Sequence, residues 1–278
     1  MRRTIRPSIV LGVATALIAG CATAGAASAP PYDPIIDPAN FVRGVTNPYY
    51  PLRPGVTFTY RGREKDGSSW DVHAVTRATK TILGVPCVVL RDKVWLNGRL
   101  IEDTWDWYAQ DKQGNVWYFG EDTTQLKDGV TLGHKGSWQA GVRGAKPGII
   151  MPAHPRVNQP YRQEYRKGIA EDMAEVTTLD GSATAPYGSF RKVWVTREWS
   201  PIDPAAAESK SYAPGVGFVL LTAAGESQEL VQVTRDRRRV RVCERGAPDW
   251  TANPRIPLID ARHASQQRGP WTAVLPAA

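Results

Sequence analysis

The dipeptide Asn97-Gly98, set between Val94-Trp95-Leu96 and Arg99-Leu100-Ile101, constrains this chain more than any other feature. A type I′ turn needs positive φ at both central residues, and Asn followed by Gly supplies it at least steric cost. The segment therefore predicts two antiparallel strands joined by a tight hairpin. The same grammar recurs. Val56 to Arg61 alternates apolar and polar residues, Lys65-Asp66-Gly67 predicts a turn before Ser69 to Thr76, and Pro86 to Leu96 reads as a strand. Thr104 to Ala109 and Asn115 to Phe119 flank Asp111-Lys112-Gln113-Gly114 as a second hairpin. Strand patterns resume at Tyr161 to Tyr165, Ala174 to Leu179, Phe190 to Trp199, Val216 to Thr222 and Glu229 to Thr234, with Asp180-Gly181 and Gly225 in turns. The nearest helical candidate is Glu171 to Val176. About ten short strands at hairpin spacing predict an all-β fold, a single antiparallel meander whose curved sheet closes to a barrel or half-barrel. The 22 Pro, 25 Gly and 10 Trp agree with turns and aromatic packing and not with long helices.

One stretch breaks the rhythm. From residue 121 to 160 strand alternation lapses, yet Trp138, Ile149, Ile150 and Met151 make the segment too apolar for a solvated linker. Loops this long are functional or disordered, and the apolar content predicts an ordered loop lying over the sheet.

The N-terminus carries an address. Arg2, Arg3 and Arg6 precede an apolar run from Ile9 to Ala19, which reads as an export signal over residues 1–20. Ile18-Ala19-Gly20-Cys21 resembles a bacterial lipobox, which would make Cys21 a lipidation site and the mature N-terminus; cleavage after Ala24-Gly25-Ala26 would instead release a secreted protein. Residues 21–46, rich in Ala, Pro and Asn, read as a tether. The β domain is expected over 47–245 and a Pro-rich tail over 246–278. No later segment approaches the length of a membrane-spanning helix, so no further span is expected. With Cys21 lipidated in an oxidising compartment, Cys87 and Cys243 form a possible disulfide.

Export also rewrites the charge. The formal +8 becomes +5 once three signal arginines are removed, and Arg235, Arg237, Arg238, Arg239, Arg241 and Arg245 with Asp236 and Glu244 hold +4 of it. A basic face spread over the molecule, as nucleic-acid binding needs, is therefore not expected. The arginine segment reads as a protected edge strand or as a contact for an anionic envelope surface.

Two further segments carry a resemblance. Tyr50-Pro51-Leu52-Arg53-Pro54-Gly55-Val56-Thr57-Phe58-Thr59-Tyr60 and Tyr212-Ala213-Pro214-Gly215-Val216-Gly217-Phe218-Val219 resemble the opening and closing motifs of a family of uncharacterised bacterial secreted proteins and lipoproteins with a curved β-meander. The chain departs from that pattern at Phe58, where the opening motif has Trp. Blocks 102–111 and 161–165 resemble the family between these brackets. The resemblance implies fold and export and supplies no chemistry.

Candidate site residues come from polar clusters. Alternation puts Asp103, Trp105 and Trp107 on one strand face and Glu102, Thr104 and Asp106 on the other. Carboxylates beside indoles suit sugar recognition. Alternation puts Arg162 and Glu164 on one face, where they could form an ion pair inside a barrel or clamp an anionic ligand, with Tyr165 beside them and Trp138 in the loop above. His154, between Pro152 and Pro155, is the candidate for acid–base work because imidazole titrates near neutrality. His73, His134 and His263 show no HExxH or HxH spacing, so no metal is expected, and Glu171, Asp172 and Glu175 lack the loop of a calcium site. No cofactor motif occurs. The expectation is an extracytoplasmic, lipid-anchored or secreted protein that binds a small lipid-like or glycan molecule through Trp105, Trp107, Trp138, Arg162 and Tyr165 in a concavity under the 121–160 loop. The alternative is a secreted hydrolase or lyase using His154 with Glu164 or Asp103 as acid and base.

Overall fold

A computed structural model describes residues 32–236, so Cys21, Cys243 and the arginines beyond Arg235 lie outside the described residues. The sheet comprises β1 (Phe41–Val42), β2 (Val56–Glu64), β3 (Gly67–Ile82), β4 (Val85–Leu96), β5 (Arg99–Asp111), β6 (Val116–Lys127), β7 (Val130–Gly133), β8 (Trp138–Gln139), β9 (Lys146–Met151), β10 (Tyr161–Arg162), β11 (Glu164–Tyr165), β12 (Met173–Ala185), β13 (Gly188–Ser200), β14 (Asp203–Ala213), β15 (Gly217–Ala223) and β16 (Glu226–Arg235). Every pairing between these strands is antiparallel, in the order β10-β12-β13-β14-β15-β16-β2-β3-β4-β5-β6-β9-β11. The chain's early and late halves join where β16 pairs β2, and the whole curls into a nearly closed barrel with one seam. No helix among the described residues is long and apolar enough to cross a membrane.

The two ends of that order, β10 and β11, are consecutive in sequence and separated only by Gln163. Tyr161–Arg162 pairs β12 while Glu164–Tyr165 pairs β9, so the chain itself bridges the seam with one buried residue. Gly148 of β9 makes the approach possible. A Cβ there would lie 2.3 Å from the Gln163 carbonyl carbon.

The hairpin grammar holds where turn chemistry sets φ. Asn97 and Gly98 have φ of 50° and 76°, and Leu96 pairs Arg99 across them. The Asn97 side chain also accepts from Ser68 N and donates to Asp66 O, locking the neighbouring hairpin. The nearest helical candidate, Glu171 to Val176, forms no helix; Ala174 and Val176 alternate into the core from β12, in the strand expected from Ala174, and six residues are too few to nucleate a helix without tertiary support. Asp180-Gly181, expected in a turn, is a bulge within β12, and the chain reverses between Ala185 and Gly188. The 121–160 stretch is ordered, as expected, and much of it is strand: β6 runs on to Lys127 and pairs β7, β8 and β9. Gly120, at φ 132°, lets the Trp138 backbone close in.

The barrel is plugged at one end. Val45 bridges Leu52, and Tyr50 packs between Tyr108 and Tyr212. The opening and closing motifs meet here. Gly215 N donates to Pro48 O at 2.7 Å, Phe218 packs on Tyr60, and the space a Cβ on Gly217 would need reaches within 3.2 Å of Pro51. Proline, glycine and aromatic residues in these motifs build a floor, each fully buried aromatic contributing about 1.5–3 kcal/mol.

Candidate functional site: an acid-lined barrel interior

Above that floor the barrel encloses a cavity of about 730 Å³, walled by β2 to β6 on one side and β13 to β16 on the other. Lys65 and Asp66 of the β2–β3 turn, Gln125 of β6, Ala205 to Ala207 of β14 and Ala224 of the β15–β16 turn also line it. Thirteen acidic side chains line it, against three lysines and one histidine. A chain whose formal charge is +8 thus has an acid-lined interior.

The first wall is a grid set by strand register. Asp71 and His73 project from β3 at a spacing of two, and His73 stands opposite Asp92 on β4. Asp92 faces Thr104 and Leu90 faces Asp106 on β5; Asp106 in turn faces Glu121 on β6. The orientation of β5 reverses the natural assumption that tryptophans point inward. Glu102, Thr104 and Asp106 line the cavity, whereas Asp103, Trp105 and Trp107 face away from it. Asp103 holds Arg91 through two hydrogen bonds of 2.8 and 2.6 Å, Arg91 lies over Trp105, and the Lys80 ammonium lies 3.3 Å from the Trp107 ring centre.

Burial in a small space raises most of these acids. Asp106 is pushed up to about 6, mainly by burial, against a hydrogen bond from Tyr118. Glu102 and Glu121 lie well above the usual carboxylate range because burial, then neighbouring acids, disfavours charge. Tyr118 OH lies 2.7 Å from Asp106 Oδ1 and 2.9 Å from Glu121 Oε2. One phenol proton cannot serve two ionised carboxylates. The phenol therefore donates to one of them at a time.

His73, Asp71 and Asp92 form a tighter cluster. His73 Nε2 is 3.1 Å from Asp71 Oδ2 and 3.4 Å from Asp92 Oδ2, and Gln228 donates to the same Asp71 oxygen. Burial opposes the imidazolium, but the charges of Asp71 and then Asp92 outweigh it, and His73 is raised well above its ordinary value. Burial likewise opposes charge on Asp71, yet His73 holds it low; Asp92 is raised by burial and then by the charge of Asp71. These three are the described residues whose ligand atoms converge within 4.8 Å of one another.

The opposite wall carries an ion-pair network centred on Lys210. Lys210 Nζ lies 2.7 Å from Glu198 Oε2 and 2.9 Å from Glu208 Oε1, and Glu198 also accepts from Thr196 and Tyr212. Burial alone would lower Lys210; the two glutamates raise it well above the usual lysine value. Asp172 is pushed up to about 6, chiefly by burial.

The residues singled out from sequence are scattered. Glu164 lines the cavity and accepts from Trp138 Nε1 at 2.7 Å, so Trp138 backs the wall and does not face a ligand. Arg162 and Glu164 do not share a face. The seam sends them to opposite sheet edges, and Arg162 lies over Tyr32 and Tyr165. His154 is exposed, outside the cavity lining, and makes no side-chain hydrogen bond or ion pair among the described residues. The structure thus does not bring His154, Glu164 and Asp103 together. Cys87 is fully buried; its proposed partner Cys243 lies outside the described residues.

Asp71, His73 and Asp92 match none of the HExxH or HxH spacings by which a histidine cluster shows in a sequence. The spacing Asp71-Val72-His73 on an alternating strand was the available signal, since it puts both side chains on one face. Asp92 required the β3–β4 register.

No protein-family model and no curated protein matches the chain. Among solved structures, it is similar to a "putative exported protein with YmcC-like fold" from Bacteroides fragilis, at 15% identity and a TM-score of 0.40 over 67% of this chain and 99% of that one. A "putative lipoprotein" from Parabacteroides distasonis gives 13% identity and a TM-score of 0.31 over 67% and 98%. At these scores no activity or residue role passes to this chain.

Proposed function

We propose that this is an exported binding protein whose barrel interior holds a small, hydrogen-bond-donating ligand, a glycan or an amine. The observation that carries this reading is the cavity of about 730 Å³ with thirteen acidic residues on its walls. Its size falls within the range of small-molecule sites. Carboxyl oxygens accept hydrogen bonds, so a wall of them matches hydroxyl and ammonium donors. An acyl chain in the same place would strip water from carboxylates and return no hydrogen bonds, at about 1–3 kcal/mol for each group left unpaired. Of the two ligand classes expected from sequence, the lining favours the hydroxyl-rich one, and it adds amines. Export rests on the signal at residues 1–20, and anchoring on Cys21 in its lipobox-like setting.

Native mass spectrometry of the mature chain purified from its host, followed by thermal-shift titration with neutral oligosaccharides, polyamines and fatty acids, tests the reading. Stabilisation by an oligosaccharide or polyamine, lost when Glu102 and Glu121 are both changed to Leu, is expected. Indifference to every donor-rich compound, or stabilisation by fatty acids alone, would overturn it.

A further inference from the structure

We propose that Asp71, His73 and Asp92 form a binding site for one divalent ion of the first transition row, open towards the barrel cavity. This goes beyond the ligand reading and does not depend on it.

The geometry points to a metal in three ways. First, the two carboxylate oxygens approach the same imidazole nitrogen, at 3.1 and 3.4 Å. Metal bonds of about 2.0–2.2 Å at angles between octahedral and tetrahedral place neighbouring ligand atoms about 3.0–3.5 Å apart, so these spacings are those of a coordination shell. A single Nε2–H can point well at only one of the two oxygens. A dication placed among the three atoms would satisfy both.

Second, the second oxygens are unclaimed. Asp71 Oδ1 and Asp92 Oδ1 are buried and make no hydrogen bond, although Asp71 is only 8% exposed. On the adjacent strand Glu102, 3% exposed, leaves Oε2 without a partner as well. Buried polar atoms are ordinarily paired; with Glu121 Oε1, four carboxylate oxygens on this wall are orphaned, and the two on Asp71 and Asp92 are those a cation in the cluster would answer.

Third, the surroundings are those of a metal site with an open side. Gln228 orients Asp71 by donating to its Oδ2, the outer-shell contact that fixes a carboxylate ligand. His73 and Asp92 each keep 23% of their side-chain surface exposed and line the cavity, so three protein ligands leave positions for water or a guest molecule. The acid-lined interior favours cations at the site.

The donor set selects the ion. Calcium takes six to eight oxygen ligands and magnesium few protein ligands, whereas one imidazole with two carboxylates suits zinc, iron, cobalt or manganese. By the general affinity order zinc should bind more tightly than manganese.

The test uses the untagged mature chain, stripped with chelator and titrated calorimetrically with Zn²⁺, Co²⁺ and Ca²⁺. One equivalent of Zn²⁺ and Co²⁺ is expected, with Ca²⁺ weaker. His73→Gln and Asp92→Asn should each weaken Zn²⁺ binding by about 10- to 100-fold or more, while His134→Gln and His154→Gln leave it unchanged. Because a triad variant could fail to fold, pulsed electron paramagnetic resonance of Mn²⁺-loaded wild-type protein provides a second readout, with coupling to the nitrogen of one coordinated imidazole expected. Absence of stoichiometric binding, full Zn²⁺ affinity in both folded triad variants, tighter Ca²⁺ than Zn²⁺, or no nitrogen coupling would each overturn the assignment.

Discussion

Replacing Asp106 by Asn isolates what an acid-lined interior costs this fold. Asp106 accepts from Tyr118 at 2.7 Å and is 6% exposed, and Asn keeps both the shape and an acceptor oxygen. Its carboxyl is raised from 3.8 to about 6, chiefly by burial. A carboxyl raised on folding binds protons more tightly in the folded state, so stability is fully present below the unfolded value and is lost as pH rises through the folded one. The difference of about two units, at 1.36 kcal/mol each, makes the ionised group cost about 3 kcal/mol above pH 7 and about 0.5 kcal/mol at pH 4. Asp106→Asn should therefore be more stable than the wild type by about 3 kcal/mol at pH 7.5, with the advantage shrinking to a few tenths near pH 4. The Asp106 charge also raises Glu121, so the substitution relieves a second group in the same direction. Urea unfolding of chelator-treated protein at several pH values, with equal m-values for the two proteins, measures this directly. A destabilised variant at pH 7.5, or an advantage that does not change with pH, would refute the reasoning.

Lys210→Met removes the cation from Glu198, which is 6% exposed at its side chain, and should cost about 3–5 kcal/mol; adding Glu198→Gln should recover part of the loss in thermal melts. Gly148→Ala puts a Cβ 2.3 Å from the Gln163 backbone and should cost about 1–3 kcal/mol by overpacking the seam. Hydrogen exchange should then rise in Lys146 to Tyr165 and stay unchanged in β2 to β5; uniform protection would refute the seam. Wild-type protein itself should lose stability between pH 5 and 7.5, since burial raises Asp92, Glu102, Asp106, Glu121 and Asp172 and neighbouring carboxylates raise His73; Asp71, held low, contributes its opposite change only in more acidic solution.

What sequence alone determined is local. Asn97-Gly98 fixed a hairpin because only its φ values fit, and alternation grouped Glu102, Thr104 and Asp106 on one face of β5 and Asp103, Trp105 and Trp107 on the other. Alternation says which residues travel together and not which set turns inward. Hydrophobicity suggests the tryptophans, but Arg91 and Lys80 lay their side chains over these rings, which lets the acids occupy the interior.

Tertiary structure decided the rest through register and closure. From the β3–β4 turn, Ile82 pairs Val85 and Thr79 pairs Val88, a count that would set Val94 opposite His73. A bulge between Val75 and Thr79 shifts the ladder by two, so Asp92 stands there instead. Closure has the same character. Tyr161 to Tyr165 reads as one strand, yet its halves belong to opposite sheet edges and meet only because the barrel has curled round to Gly148. A bulge and a seam depend on contacts between residues far apart in the chain, and their physical cause is packing, which no short window of sequence contains.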